Sequence, residues 1–417
     1  MSPLPPASVS ASRSPAAFRL GSSLRCRAPA ETLALGTGLM RSLGISRVTD
    51  LTRMDRLGLP VFASIRPRGR ALCVHAGKGV HAVEARVGAL MEAIEYAAAE
   101  PQRSALPRRA MRIDELEDSW SDRLTLLDLA PRIGLDIPSE RLADVVLCDE
   151  AGGGRPAWLP AELVFVPFED PHGEALFGWS TNGLASGNSP DEATLHGLLE
   201  VLERDAVAMD LSDDASCWVD PGDLPEPFRT LAAEWRRIGI ALAVRYVPNE
   251  FALPCFTALV HEGGGASVDM AAGSGLHLDP GIALARAVCE AAQSRLGHIH
   301  GGRDDVTRFF SKHDESPRSP RDARDNPVFQ EAFDTRRRIA WSELPSMPHE
   351  DETIEAVLGR LTGHLAALGF PHVFRHRFEA DLGGLHVVKV VVPRCQELGT
   401  ELDRLGPRML QQIEAHA

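Results

Sequence analysis

The sequence predicts a mixed α+β fold, on three observations. Apolar, β-branched runs of strand length recur along the 417 residues. Long helical stretches stand between them. The two kinds do not alternate in the strict strand–helix–strand rhythm of a doubly wound parallel sheet, so mixed β-sheets flanked by helices are expected.

The elements follow in order. Residues 1–34 are rich in Pro, Ser, Ala and Arg without periodicity and read as a flexible leader. Order is expected to begin across Thr32 to Gly44, opening one large domain over residues 35–400. Strand-like runs occur at Arg70–His75, Asp144–Cys148, Ile238–Val247 and Cys255–His261. The Gly152–Gly154 and Gly263–Gly265 triplets read as turns. Ser311 to Arg336 is charged, Pro-containing and weakly periodic, which suits a surface excursion. A helix is expected over Asp351–Leu368, stopped by Gly369 and Pro371, and then strands near His372–Phe378 and Leu385–Val392. Residues 401–417 are left as a C-terminal tail.

Charge and cysteine usage narrow the function classes. Lys+Arg total 44 against Asp+Glu 58, a net charge of −14, which argues against a general nucleic-acid binder with its basic face. An anionic ligand stays open, because a metal ion can invert the field of a pocket. The seven cysteines are dispersed with no C-x-x-C pair, as expected for reduced thiols of a cytoplasmic protein rather than a disulfide or zinc framework. No apolar run reaches the length of a membrane span, and the start lacks an apolar signal core.

Three stretches share one pattern: Ala89-Leu-Met-Glu92-Ala-Ile-Glu95, Gly197-Leu-Leu-Glu200-Val-Leu-Glu203 and Ala287-Val-Cys-Glu290-Ala-Ala-Gln293. Residues at i and i+3 share a helix face, so each pair projects its oxygens to one side of an otherwise apolar helix. A buried, unpartnered carboxylate costs several kcal/mol or takes up a proton. Five carboxylates and one amide in this arrangement call for cations, and hard cations such as Mg2+ prefer oxygen ligands. A solvated Glu face accounts for any one helix as well; it accounts poorly for three with the same spacing.

Other residues gather around these helices. His75-Ala-Gly-Lys78-Gly79 follows a strand-like run and precedes the first acid helix, so its glycines let backbone approach a ligand that Lys78 reaches. It is not a Walker A loop, since Lys78 is followed by Gly. Ser180-Thr-Asn-Gly-Leu-Ala-Ser-Gly-Asn188 reads as a loop into a helix starting near Ser189-Pro190. There His196, Glu200 and Glu203 form one stripe. Arg286, Glu290 and Gln293 repeat the spacing, with Arg295 and Arg303 close in sequence. Arginine suits phosphate through its planar fork of donors, although plain Arg–Glu salt bridges account for some of these equally well.

These motifs in this order, ending with Gly384-Leu-His-Val-Val-Lys-Val-Val-Val-Pro393, resemble the YcaO family over about Gly44 to Pro393. The resemblance implies a YcaO-type α+β fold with ATP and Mg2+ between the acid helices, and enzymatic O-phosphorylation of a peptide backbone amide. Carried over residue by residue, it puts Glu92, Glu95, Glu200, Glu203, Glu290 and Gln293 at metal positions. It puts Lys78, His196, Arg204, Arg286, Gln293 and Arg295 at nucleotide positions, with Lys78, Arg204 and Arg295 as the catalytic cations. Gly88, His196 and Tyr96 stand where the family often has Ser, Asn and Arg. Gly44 to Val61 with Arg66-Pro67 is similar to the branch that works with a TfuA-type partner and is linked to thioamides. The tail Gln411–Ala417 lacks the proline-rich ending of azoline-forming cyclodehydratases.

Thioamide formation on a precursor peptide or protein, with a TfuA-like partner, is therefore the expected function. Azoline closure on Cys, Ser or Thr, with an E1-like or leader-binding partner, is the alternative, and a non-catalytic nucleotide-binding partner protein the third. A homodimer is expected, and residues before Thr32 are expected to be dispensable for nucleotide binding.

Overall fold

A computed structural model of the chain describes residues 18–101, 108–262, 270–302, 327–349, 352–378, 381–398 and 404–416. The architecture is α+β, and every strand pairing among the described residues is antiparallel. A hairpin of β1 (Phe18–Arg19) and β2 (Leu24–Arg25) leads into α1 (Pro29–Leu43). The strands β3 (Arg47–Asp50), β4 (Val61–Ile65) and β5 (Val74–Lys78) form a three-stranded sheet, and α2 (Ala82–Ala99) follows it. A larger sheet runs β6 (Arg109–Arg112), β7 (Leu142–Glu150), β14 (Phe374–Arg377), β15 (His386–Val391), β9 (Leu184–Gly187), with β8 (Ala157–Pro160) also on β7. The third is β10 (Cys217–Trp218), β11 (Ala241–Tyr246), β12 (Cys255–His261), β13 (Met270–Leu276). The remaining helices are α3 (Ile113–Trp120), α4 (Pro190–Ser212), α5 (Phe228–Arg237), α6 (Pro280–His300), α7 (Pro327–Ala332), α8 (Ile354–Ala367) and α9 (Pro407–His416).

One local unit occurs three times: β5–α2, β9–α4 and β13–α6. In each, a glycine in the strand lets the helix backbone lie directly on it. A Cβ at Gly77 would stand 2.0 Å from the Ala89 nitrogen, one at Gly187 2.5 Å from that of Ala193, and one at Gly273 2.4 Å from that of Ala291. No other residue permits that approach. The α4 and α6 helices start alike, with Ser189 and Asp279 accepting from the backbone N–H groups of Glu192 and Ile282, each cap followed by proline. Three of the apolar cores among the described residues lie beneath. Leu90, Ile94, Trp120, Phe165 and Phe374 fill one. Leu198, Leu202, Phe251, Leu361 and Val388 join α4, α8 and β15. Trp235, Val244, Phe256 and Val288 pack α5 and α6 on the third sheet.

The structure moves several expected boundaries. The strand expected at Arg70–His75 is Val74–Lys78, because its partner β4 pairs from Val61↔Lys78 to Ile65↔Val74; Lys78 therefore closes this strand. Leu184–Gly187, read as part of a loop, and the glycine-bearing Met270–Leu276 are strands whose small residues serve the helices on them. The leader does not extend to residue 34: the hairpin begins at Phe18, and the Cys26 N–H donates to Glu192 Oε2 at 2.8 Å. The C-terminal tail contains α9, docked on α4 through Arg408 and Asp205 at 2.6 Å. The helix expected over Asp351–Leu368 is Ile354–Ala367, capped by Thr353. The Gly263–Gly265 turn, Arg303, and residues 311–326 of the expected excursion lie outside the described residues. Its end is docked: the Arg245 guanidinium donates to the Glu331 and Asp334 carbonyls at 2.8 and 2.7 Å.

Candidate active site

The three acid helices converge on one cleft of about 440 Å³, a volume suited to a small-molecule ligand. The i, i+3 spacing on α2, α4 and α6 turns each pair toward it, and the strands hold the carboxylates in place. Glu92 Oε2 accepts from the Ala76 N–H at 2.6 Å, and Glu200 Oε1 from the Gly183 N–H at 3.3 Å. The other contacts pass between units in a ring. Glu95 of α2 accepts from the Ser186 hydroxyl of β9 at 2.5 Å. Glu203 of α4 accepts from the Ser274 hydroxyl and Leu276 N–H of β13 at 2.6 and 3.1 Å. Glu290 of α6 pairs with Lys78 of β5.

The electrostatics separate the acids. Burial, together with the charges of Glu92 and Glu200, pushes Glu95 up to about 8 even though Ser186 bonds it. Burial likewise raises Glu200, and Arg204 offsets this only in part. Glu203 goes the other way. Burial would raise it, but Arg286, at 3.2 Å, together with Arg204 and the Ser274 hydroxyl holds it below the usual carboxylate range. Burial and the neighbouring Arg25 and Arg286 push His196 well below the ordinary imidazole value, so it is neutral.

All but one of the sequence-predicted site residues line this cleft: Lys78, Glu92, Glu95, His196, Glu200, Glu203, Arg204, Arg286, Glu290 and Gln293. Arg295 does not. Two residues past Gln293, it leaves the helix on another face, where it pairs with Asp55 at 2.9 Å and with Glu262. It ties α6 to the 52–56 turn and has no place among the catalytic cations.

Sequence reasoning missed a second group. Arg25 Nη1 donates to the Ser186 carbonyl at 3.2 Å and to Glu192 at 3.3 Å, and Asn188 Nδ2 donates to Glu192 at 2.9 Å. The Thr32 hydroxyl donates to Asn188 Oδ1 at 2.9 Å. Ser186 and Asn188 stood within the quoted loop and were legible there as small polar side chains, and Glu192, which accepts from Asn188, follows in the first turn of α4. Arg25 carried no signal, because only tertiary contact returns it to the cleft.

The donor set tests the metal and nucleotide directly. The acid helices present carboxylate and amide oxygens, and Cys289 is packed in the third core, so a hard, oxygen-preferring cation fits and a thiophilic one does not. Lys78, Arg204 and Arg286 stand beside those oxygens, as a polyphosphate requires.

The family model described as YcaO cyclodehydratase, ATP- and Mg2+-binding, matches residues 76–396. An uncharacterized protein of Methanothermobacter thermautotrophicus is 32% identical over 92% of this chain and 98% of its own. A Rhizobium leguminosarum bv. trifolii protein from a tfuA 3′ region is 31% identical, over 93% of each chain. Among solved structures, YcaO from Methanopyrus kandleri bound with AMPPCP and Mg2+ has a TM-score of 0.74 at 24% identity, covering 93% of this chain and 96% of that one. A heterocyclase in complex with substrate and cofactor has a TM-score of 0.73 at 20% identity, covering 95% and 56%. The chain belongs to the YcaO family of ATP- and Mg2+-binding enzymes.

Proposed function

We propose that this enzyme activates a peptide backbone amide by O-phosphorylation and that a sulfur nucleophile then makes the amide a thioamide, with a TfuA-like protein as partner. One observation carries the activation step: oxygen ligands from three helices and cations from two of them and a strand face a single cleft. In this reading Glu92, Glu95, Glu200, Glu203, Glu290 and Gln293 hold Mg2+, Lys78, Arg204 and Arg286 neutralise phosphate, and neutral His196 packs beside them. Bound ATP with Mg2+ supplies the phosphoryl group that makes the amide oxygen a leaving group. The residues contribute position and charge, which phosphoryl transfer chiefly requires.

The choice of thioamide rests on the likeness of Gly44–Val61 to the TfuA-associated branch and on the relative from a tfuA 3′ region. Arg66 of that likeness is not offered to a partner. It is 3% exposed and forks onto Glu100 at 2.7 and 2.6 Å. A cytoplasmic setting, with all seven cysteines free, and a homodimer complete the proposal. Incubation with a precursor peptide, ATP, Mg2+, a sulfide source and a TfuA-like protein should exchange one oxygen for sulfur in the peptide mass. Loss of water instead would identify azoline closure, the reading that the cyclodehydratase description of the family favours. A heavy-oxygen label at the target carbonyl should leave with phosphate; retention in the peptide would reject amide-oxygen phosphorylation.

A further inference from the structure

Behind the turn Ser180–Leu184 lies a second chamber, of about 60 Å³. Thr181 and Leu184 face the large cleft, whereas Ser180 and Asn182 line the chamber. Glu200 and Val201 divide in the same way, so the chamber abuts the site at one of its acids. Gly183, with φ of +76°, makes the turn tight enough to separate the two: a Cβ there would meet the Val390 carbonyl at 2.3 Å.

The chamber holds a buried cation that the site described above does not use. Lys389 on β15 is 3% exposed and its ammonium donates to the Ser180 carbonyl. Among the described residues no carboxylate lies within ion-pairing distance of it, and the charges of Glu397 and Glu200 act on it only from further off. An ammonium has three donors, and a buried donor left without a partner is costly unless a ligand completes it. Across the chamber, Asn182 Oδ1 is a buried acceptor without a partner. Glu397 is engaged, accepting from the Ser180 hydroxyl at 2.7 Å with Arg404 at 3.9 Å. Asp128 is also engaged, by the Thr125 N–H and hydroxyl at 2.8 and 3.0 Å. The free functions are thus cationic donors on one side and one acceptor on the other.

We propose that this chamber binds the sulfur nucleophile as hydrosulfide, its charge on the Lys389 ammonium and its S–H donated to Asn182 Oδ1. The match is one of size, charge and valence. Some 60 Å³ admits a small ion with little or no accompanying water, a carboxylate ligand would leave the single acceptor unused, and hydrosulfide is a small anion with one hydrogen to donate. The inference rests on the thioamide reading, which requires a supply of such a nucleophile near the activated amide, and the chamber abuts the cleft at Glu200 and Val201. Burial also draws Lys389 down to about 8, so binding of the anion should raise it again.

The test uses crystals of the full chain soaked anaerobically in sodium hydroselenide, the heavier homologue of the ligand. Anomalous scattering should place selenium in the chamber within hydrogen-bond distance of Lys389 Nζ and Asn182 Oδ1. The peak should vanish in Lys389→Met, which removes the charge and keeps the stem, and in Asn182→Asp, which sets a carboxylate against the anion. In turnover each variant should raise the KM for sulfide by roughly tenfold or more, the loss expected for a charged hydrogen bond, while calorimetric Mg·ATP affinity stays unchanged. Should Lys389→Met fail to fold, Asn182→Asp carries the same comparison. An empty chamber in the wild-type crystal, or equal occupancy in the variants, overturns the proposal. Selenium in the chamber of a protein that makes only azoline supports the anion site and rejects the thioamide reading, so the two failures are separate.

Discussion

Glu95 and Glu203 are both carboxylates in one cleft, and their surroundings give them opposite behaviour. Glu95 keeps its proton up to about 8, so a cation can use it only after displacing that proton. Mg2+ affinity should therefore rise with pH and level off above about 8, with proton release measurable by calorimetry in buffers of different ionisation enthalpy; a flat profile would contradict the assignment. The linkage to stability has the opposite sign. Between the ordinary glutamate value of 4.5 and about 8 the folded protein holds the Glu95 proton and the unfolded chain does not, so metal-free stability falls as pH rises through that window. Glu95→Gln should flatten the fall in Tm. Glu200→Ala should leave the fold intact and weaken Mg·ATP by at least the roughly 10–100-fold that even outer-shell changes cost a metal site. Glu203→Ala should do the same and also destabilise the chain, since stripping one partner from a buried ion pair costs about 3–5 kcal/mol. The acids were legible in sequence because carboxylates paired at i, i+3 on an apolar helix are costly to bury unless a cation meets them. Arg295 was misplaced because closeness in sequence says nothing about helix face, and Glu262, one of its partners, stands just past the end of β12.

At the scale of elements, the helices were legible and two of the strands under them were not. Strand propensity resides in β-branched and aromatic side chains, whereas Leu184–Gly187 and Met270–Leu276 are built largely from Ala, Ser and Gly because a helix backbone lies on them. What reads locally as a loop is a strand stripped for contact. Gly77→Ala should force β5 and α2 apart, lowering Tm and weakening Mg·ATP together, because Lys78 and Glu92 lie on the two elements that separate. Normal nucleotide affinity in that variant would mean the close approach does not position the site. The Arg66–Glu100 fork joins the end of β4 to the residue that closes α2. Glu100→Ala should cost about 3–5 kcal/mol by leaving the guanidinium buried alone, read as a lowered denaturation midpoint without change in the nucleotide site.

At the scale of the whole molecule, the N-terminal hairpin and the ring of contacts among the three units were beyond sequence reasoning, since each joins residues far apart in the chain. Arg25 is the case with consequences. Its contacts with Ser186 and Glu192 mean that a chain starting at Thr32 should bind Mg·ATP more weakly than the full chain, against the expectation from composition; equal calorimetric affinity would return the hairpin to the status of a leader. The pairing of Lys78 with Glu290 and of Arg286 with Glu203 has another effect. The cleft carries its own counterions, so an arriving magnesium–nucleotide complex exchanges partners with them: the metal takes carboxylates and the phosphates take the released cations. Charge is redistributed and little is newly neutralised. Few ions from the bulk need be displaced, and the interior pairs are poorly screened. Affinity for the nucleotide should then be nearly indifferent to potassium chloride concentration, and a steep decline on added salt would show that these cations meet the ligand as an open, solvent-facing patch.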